Sequence, residues 1–213
     1  HSRKEVKVMG KVEENKLHKR NSLLQTAFDL FTTKGVGKTS ISDIVANAGV
    51  AKGTFYLYFK DKIDIKNKLI VHKTQKLFEK SLEALKQSPQ PTFSDKVIFV
   101  IDNIIDQLSE NPTLLLFISK NLSWGIFKKA IIPGNESNEY GTINIYDLII
   151  SEDGYRLTDP EIMLYLIIEL VGSALYSSIL YNEPVPIQTL KPYMYNSIRL
   201  IIKQHETDIL EAI

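Results

Sequence analysis

The stretch Thr39-Ser40-Ile41-Ser42-Asp43-Ile44-Val45-Ala46-Asn47-Ala48-Gly49-Val50-Ala51-Lys52-Gly53-Thr54-Phe55-Tyr56-Leu57-Tyr58-Phe59 decides the fold of this chain. Ser40 stands three residues before Asp43, the spacing at which two side chains at a helix start satisfy each other's free N–H groups. Ile44, Val45 and Ala48 then supply an apolar face, and Gly49 ends the helix. After three intervening residues a second helical stretch begins at Gly53, with Phe55 and Phe59 at i and i+4 on one face. Two short helices joined by a tight glycine turn form a helix-turn-helix.

Working outward, the same helical periodicity continues. Upstream, Leu23, Leu24, Ala27, Phe28, Leu30 and Phe31 recur at spacings of three and four, and Gly35 and Gly37 stop that helix. Downstream, a longer helix is expected from Asp61 to about Gln87, broken by Ser88-Pro89-Gln90-Pro91, since proline lacks a backbone N–H and restricts the residue before it. Further breaks fall at Asn111-Pro112, Pro133-Gly134-Asn135, Asp153-Gly154 and Pro184-Val185-Pro186. Thr158-Asp159-Pro160-Glu161 reads as a helix start, with proline suited to the first turn and Glu161 placed to complete a cap. No stretch alternates with a period of two, so the expected fold is all-α, without a sheet.

Composition excludes several classes of protein. With 213 residues, 44% hydrophobic and 24% charged, the chain is long and apolar enough for one good core or two small ones. It has no cysteine, which removes disulfides, thiolate metal sites and cysteine nucleophiles and fits a reducing, cytoplasmic setting. Residues 1–20 are polar and contain no apolar run of the kind a secretory signal needs, and Met9 is a candidate first residue. Lys and Arg number 26 against 25 Asp and Glu, a net charge of only +1. The balance is uneven along the chain, with 11 against 5 in residues 1–60 (+6) and 15 against 20 in residues 61–213 (−5). Residues 1–20 alone hold +4 of that surplus, so a basic, flexible arm is expected over residues 1–16.

The string from Ala27-Phe28-Asp29-Leu30-Phe31 through Lys34-Gly35, Thr39 to Val45, Ala48 to Tyr56 and Tyr58-Phe59-Lys60-Asp61-Lys62 resembles the DNA-binding domain of tetracycline-repressor-type (TetR) transcriptional regulators. The resemblance covers about 45 residues. It implies a three-helix DNA-binding domain over residues 17–62 and a helical ligand-binding and dimerisation domain over residues 63–213. It also implies a cytoplasmic homodimeric repressor that binds a palindromic double-stranded operator and is released by a small-molecule effector. Physical reasons for these residue types stand apart from the family. An α-helix fits the major groove, about 12 Å wide, and the second helix of such a motif offers its N-terminal residues to base edges. Gly53 removes a side chain where that helix would press on DNA, while Lys52, Thr54, Tyr56 and Tyr58 project donors. Thr39 and Ser40 lie at a helix N-terminus, where free N–H groups favour a phosphate, and Lys60 and Lys62 can neutralise others. Ala51 replaces a serine common in the family, and Leu57 stands where a polar or aromatic group is usual. Leu57 either meets a thymine methyl or packs against its own domain.

Other motifs carry no chemistry. Gly35-Val36-Gly37-Lys38-Thr39 imitates the end of a phosphate-binding loop, but the position that needs the first glycine is Thr32 and no strand precedes it. His1, His18, His72 and His205 lack partners at metal-ligand spacing, so no metal and no cofactor is expected. Glu13-Glu14 and Glu152-Asp153 read as solvated pairs, and nothing assembles a nucleophile and base, so no enzyme is expected. The rival reading is a helical adaptor for another protein, without DNA binding. Met163 to Tyr181 reaches the lower length limit for a membrane span, but Glu169 sits near its centre and no basic cluster flanks it, so no membrane partner is expected.

That apolar helix and the next, Thr189 to about Gln204, offer more apolar surface than one small core needs. A two-fold dimer is therefore expected through Leu166, Leu170, Ala174 and Ser177 with Met194, Ile198 and Ile202. An apolar or aromatic effector is expected among Phe78, Phe99, Phe117, Trp124, Phe127, Tyr146 and Tyr176, with Asn103 and Asn121 as its polar partners.

Overall fold

The computed structural model describes residues 10–131 and 157–206. The chain divides into two compact units, His1–Leu69 and Ile70–Ile213. That boundary falls seven residues beyond the expected one at residue 62, part-way along a continuous helix.

In the first unit α1 spans Lys11–Thr33, α2 Ile41–Asn47 and α3 Lys52–Tyr58, and α4, Lys62–Gln87, begins there. The arm expected over residues 1–16 needs correction, because Lys11 to Lys16 are the opening turns of α1. Their alternation of Lys and Glu suits a solvated helix face as well as it suits a loose tail. The core of this unit contains the predicted residues except Leu30 and Ala48, which are half-buried, and adds Ile65 and Leu69. Leu23, Leu24, Ala27, Phe28 and Phe31 of α1 are buried with Ile44 and Val45 of α2, Phe55 of α3, Phe59, and Ile65 and Leu69 of α4.

In the second unit the remainder of α4 is followed by α5 (Phe93–Ser109), α6 (Pro112–Asn121), α7 (Trp124–Ile131), α8 (Pro160–Tyr181) and α9 (Ile187–His205). Caps mark the starts that sequence suggests: the Thr92 hydroxyl accepts from the Asp95 N–H (3.1 Å), and Asn111 Oδ1 accepts from the Leu114 N–H (3.0 Å) ahead of Pro112. At α8 the proline stands in the first turn as expected, but Glu161 does not complete a cap. Asp159 takes a left-handed conformation (φ 48°), and the Glu161 carboxylate instead accepts from Lys128 Nζ on α7 at 2.7 Å. Among the described residues there is no strand, only an isolated antiparallel pairing of Leu157 with Glu206.

α8 and α9 pack against each other, and α9 also packs on α5. The seam between α5 and α9 is polar. Lys191, only 8% exposed, lies 2.5 Å from Asp102 and 2.6 Å from Asp106, Tyr195 donates its hydroxyl to Asp102, and Arg199 reaches Asp95 at 2.8 Å. Burial alone would lower the Lys191 pKa, but its hydrogen bonds to the two aspartates prevail and raise it.

The expected dimer seam is corrected here. Met194, Ile198 and Ile202 are 3%, 0% and 0% exposed, which makes them the inward stripe of α9 within one chain. Leu166 is 40% exposed, and Leu170, Ala174 and Ser177 are half-buried. The apolar groups that α8 and α9 leave uncovered are Ile162, Tyr165, Leu166 and Tyr181 on the former and Tyr193 and Leu200 on the latter. α8 is the one described helix long and apolar enough to cross a membrane by length and composition.

Candidate nucleic-acid interface and effector cavity

Gly49 makes the turn between α2 and α3 at φ +66°, a left-handed conformation that glycine adopts without steric cost. α3 then divides cleanly by face. Phe55 is fully buried, with its ring 5.5 Å from that of Phe59, which is 1% exposed; Lys68 Nζ sits 5.5 Å over the Phe59 ring. The opposite face carries Lys52, Gly53, Tyr56 and Leu57, all exposed, flanked by half-buried Thr54 and Tyr58. Leu57 is 78% exposed, so it does not pack against its own domain, which removes one of its two alternatives. A side chain at Gly53 would meet nothing within 4 Å, so the unit itself gives no reason for glycine there.

Two of the expected phosphate contacts change character. Thr39 is 1% exposed, and its hydroxyl lies 2.9 Å from the Gly35 carbonyl and 3.4 Å from that of Leu30. It fastens the end of α1 to the start of α2 and is closed to an outside phosphate. Ser40 forms the predicted capping box: its hydroxyl accepts from the Asp43 N–H (3.0 Å), and its own N–H and O–H donate to Asp43 Oδ2 (2.9 and 2.8 Å). The Asp43 carboxylate thus occupies the ground that a phosphate would take at Ser40. Lys62 Nζ reaches the Gly37 carbonyl at 3.3 Å, and Lys60 keeps an exposed side chain while its backbone N–H donates to Asp64.

The backbone N–H of Ser40 and then its hydroxyl hold the Asp43 carboxyl below the usual aspartate range. A carboxyl whose folded pKa is lowered stabilises the fold above its unfolded pKa and loses that contribution as pH falls through the folded value. Ser40→Ala is therefore expected to lower the thermal midpoint at neutral pH, by a margin that narrows as the solution is acidified below the aspartate range. A margin constant across that range in calorimetry contradicts this.

In the second unit, α4, α5, α6, α7 and α8 enclose a cavity of about 560 Å3. Of the residues expected to line it, Phe78, Trp124, Phe127 and Tyr176 do. The rings of Trp124 and Phe127 stack at 5.8 Å, and Phe78 meets Phe127 edge-on at 5.9 Å. The other four described candidates do not line it. Phe117 is buried in the core, and Phe99 lies half-buried on α5 away from the lining. Asn103 accepts from Ser81 and Gln107, both at 2.9 Å, and the Asn121 amide donates to the Phe117 carbonyl at 2.7 Å. Tyr146 lies outside the described residues. Most of the wall is apolar, with aliphatic members that include Leu77, Ile101, Ile104, Leu108, Leu115 and Ile167. Its charged members are Lys120 and Glu169, both exposed. Tyr181 lies beyond the Tyr176 end of the cavity, its ring 5.9 Å from that of Tyr176, and the hydrogen bond between their phenols raises the Tyr181 pKa.

Comparison with known proteins now bears on this geometry. Residues 23–66, which contain the buried face of α1, the capping box, the Gly49 turn and α3, match the model for bacterial regulatory proteins of the tetR family. Residues 23–66 are a DNA-binding unit of the tetR type. It is 26% identical over 189 residues to the fatty acid metabolism regulator protein of Bacillus subtilis, a match covering 88% of this chain and 92% of that one. It is 44% identical over 68 residues to the uncharacterized HTH-type transcriptional regulator YvdT of the same species, and there it spans only 33% of the relative's length. Among solved structures, the transcriptional regulator FadR from Bacillus subtilis, in complex with stearoyl-CoA, superposes with a TM-score of 0.58 at 19% identity, over 85% of this chain and 97% of that one. The likeness carries the all-helical arrangement of tetR-family proteins beyond the DNA-binding unit. The chain thus carries the DNA-binding unit of tetR-type transcriptional regulators and is built only of helices among the described residues. About half of the cavity residues that sequence reasoning missed are leucine and isoleucine, whose pattern in sequence is the same for a wall as for a core.

Proposed function

We propose that this protein is a homodimeric repressor that holds a palindromic operator through the exposed face of α3 and releases it when an apolar, long-chain acyl ligand fills the cavity of the second unit. The observation that carries the reading is the cavity itself: about 560 Å3, walled by aliphatic and aromatic groups, with Lys120 at an exposed edge where an anionic head could rest. The resemblance to a fatty acid metabolism regulator over nearly the whole chain, and to a structure that holds stearoyl-CoA, supports an acyl group as the apolar part.

Two recognition helices set about 34 Å apart read successive major-groove faces, which is the physical reason for a two-fold dimer. The uncovered stripe of α8 and α9 supports it. Ile162, Leu166, Tyr193 and Leu200 are 40% or more exposed, and a side chain at the exposed Gly172 would meet nothing within 4 Å. α4 offers the route for coupling. Near its start Lys68 donates to the Tyr58 carbonyl at 3.0 Å, and further along it carries the cavity residues Thr74, Leu77 and Phe78. The coupling between ligand and operator is expected to be on the order of 1 to 3 kcal/mol.

The test is operator binding measured with and without palmitoyl-CoA, on the sequence upstream of the gene itself. Release of the operator by the acyl ligand supports the reading, and an unchanged affinity at saturating ligand overturns it. Lys52→Ala is expected to weaken binding to all duplexes alike and to reduce the slope of log K against log salt by about 1, since Lys52 would neutralise one phosphate. A loss confined to one operator sequence would instead assign Lys52 to a base edge. A chain that binds no generic duplex at low salt would be the adaptor.

A further inference from the structure

We propose that Leu57 is a specificity-determining residue of the DNA-binding unit and reads the C5 methyl group of one thymine in each operator half-site. This rests on the reading of α3 as the helix that enters the major groove, and adds to it the base that the helix selects.

The side chains that α3 lacks narrow the choice. Its sequence is Lys52-Gly53-Thr54-Phe55-Tyr56-Leu57-Tyr58, without Asn, Gln, Asp, Glu or Arg. Those five read base edges by directed hydrogen bonds: Asn and Gln take adenine, Asp and Glu accept from the cytosine amino group, and Arg takes guanine. What α3 offers instead is one ammonium at Lys52 and hydroxyls at Thr54, Tyr56 and Tyr58. Lysine and hydroxyl groups meet phosphate oxygens as readily as bases, so they position a helix more than they specify a sequence. The remaining feature of the major groove is the thymine methyl, and an apolar side chain is what recognises it.

Leu57 is placed for that contact. It stands two residues after Phe55, about 200° around the helix, so burying Phe55 turns Leu57 outward. At 78% it is the most exposed of the large apolar side chains among the described residues. One turn before it on the same face is Gly53, also exposed, where a Cβ would meet nothing within 4 Å. No neighbour in the unit requires that glycine, and its lack of a side chain lets an outside body come close to the backbone. The row from Gly53 to Leu57 is thus bare at one end and apolar at the other, with no side-chain hydrogen-bonding group. Lys52 and Tyr56 form the adjoining row, also one turn apart, and carry the donors. A methyl group on a base edge matches the first row and no other part of the exposed face.

Deoxyuridine differs from thymidine by this methyl alone, which makes the contact separable from every hydrogen bond. The full chain first selects its preferred duplex from a random pool, and each thymine of that duplex is then replaced in turn by deoxyuridine. One thymine per half-site, at symmetric positions, is expected to lose about fourfold in affinity when its methyl is removed, and replacing both about fifteenfold, the range for one and two buried methyl groups. Leu57→Ala is expected to bind the thymine duplex more weakly and to bind the thymine and deoxyuridine duplexes alike. Because Leu57 is exposed, that variant is expected to melt with the wild type. A selected duplex in which no thymine responds to loss of its methyl overturns the proposal. So does a response that survives in Leu57→Ala, and one erased by Tyr56→Ala instead assigns the methyl to the adjoining row. A chain that binds duplexes without preference overturns the role of Leu57 and leaves DNA binding standing, whereas a folded chain that binds none overturns both.

Discussion

Ile198→Asp is expected to leave the second unit unfolded, whereas Leu200→Asp, two residues on in the same helix, is expected to leave it folded and to separate the proposed dimer. Ile198 is fully buried and Leu200 is 68% exposed. A carboxylate at residue 198 would be closed off from water among Met194, Ile202 and the facing helices, with no cation placed for it. The cost is expected to exceed about 4 kcal/mol, a large part of the stability of an ordinary domain. At residue 200 the same carboxylate meets solvent in the single chain, so its effect on the fold is expected to stay within about 0.5 kcal/mol. In the dimer it would be brought against an apolar stripe, and there it cannot be tolerated. Circular dichroism reads the first effect and sedimentation the second. A Leu200→Asp chain that still sediments as a dimer would move the interface off this stripe. A well-folded Ile198→Asp chain would contradict the packing of α9 itself.

Phe55→Ala is expected to abolish DNA binding without altering the exposed side of α3. Phe55 is fully buried, and its ring meets those of Tyr56 at 5.4 Å and Phe59 at 5.5 Å. α3 has only seven residues, too few to hold together by its own hydrogen bonds, so this anchor keeps it helical and aimed outward. Removing a buried phenylalanine costs about 3 to 5 kcal/mol. That loss falls on a small unit whose core rests on few large side chains. Leu57→Ala is the control, since Leu57 is 78% exposed and its truncation should leave stability nearly unchanged. Thermal unfolding of the two variants, read beside duplex binding, separates loss of the fold from loss of contact. If Phe55→Ala retained wild-type affinity, the recognition helix would have to be positioned by something other than its buried face.

The first unit was legible in sequence because its signals are local. Ser40 and Asp43 cap within one turn, Gly49 turns within one residue, and Phe55 and Phe59 pack within one turn of each other. Thr39 misled for a reason of the opposite kind. Its partners are the carbonyls of Gly35 and of Leu30, which the turn after α1 brings close, and no pattern in sequence distinguishes a hydroxyl that donates inward from one that faces a phosphate. Asn103 is similar. It looks like a polar group beside apolar neighbours and is satisfied by Ser81 of another helix, 22 residues away.

By itself the sequence determined that the chain is helical, where its helices break, and that one end carries a helix-turn-helix whose second helix has Phe55 inside. Those properties follow from periodicity, capping and turn chemistry, which act over a few residues. The outward position of Leu57 was decided by the structure. Tertiary structure alone decided which stripe of α9 is core and which is left exposed, because α8 is apolar on nearly every side and both arrangements satisfy the same pattern. It alone decided, too, that aliphatic residues of five helices stand apart around a space while others close up. Whether two apolar side chains touch or face each other across a cavity is set by the spacing of helix axes, and no single helix encodes that distance.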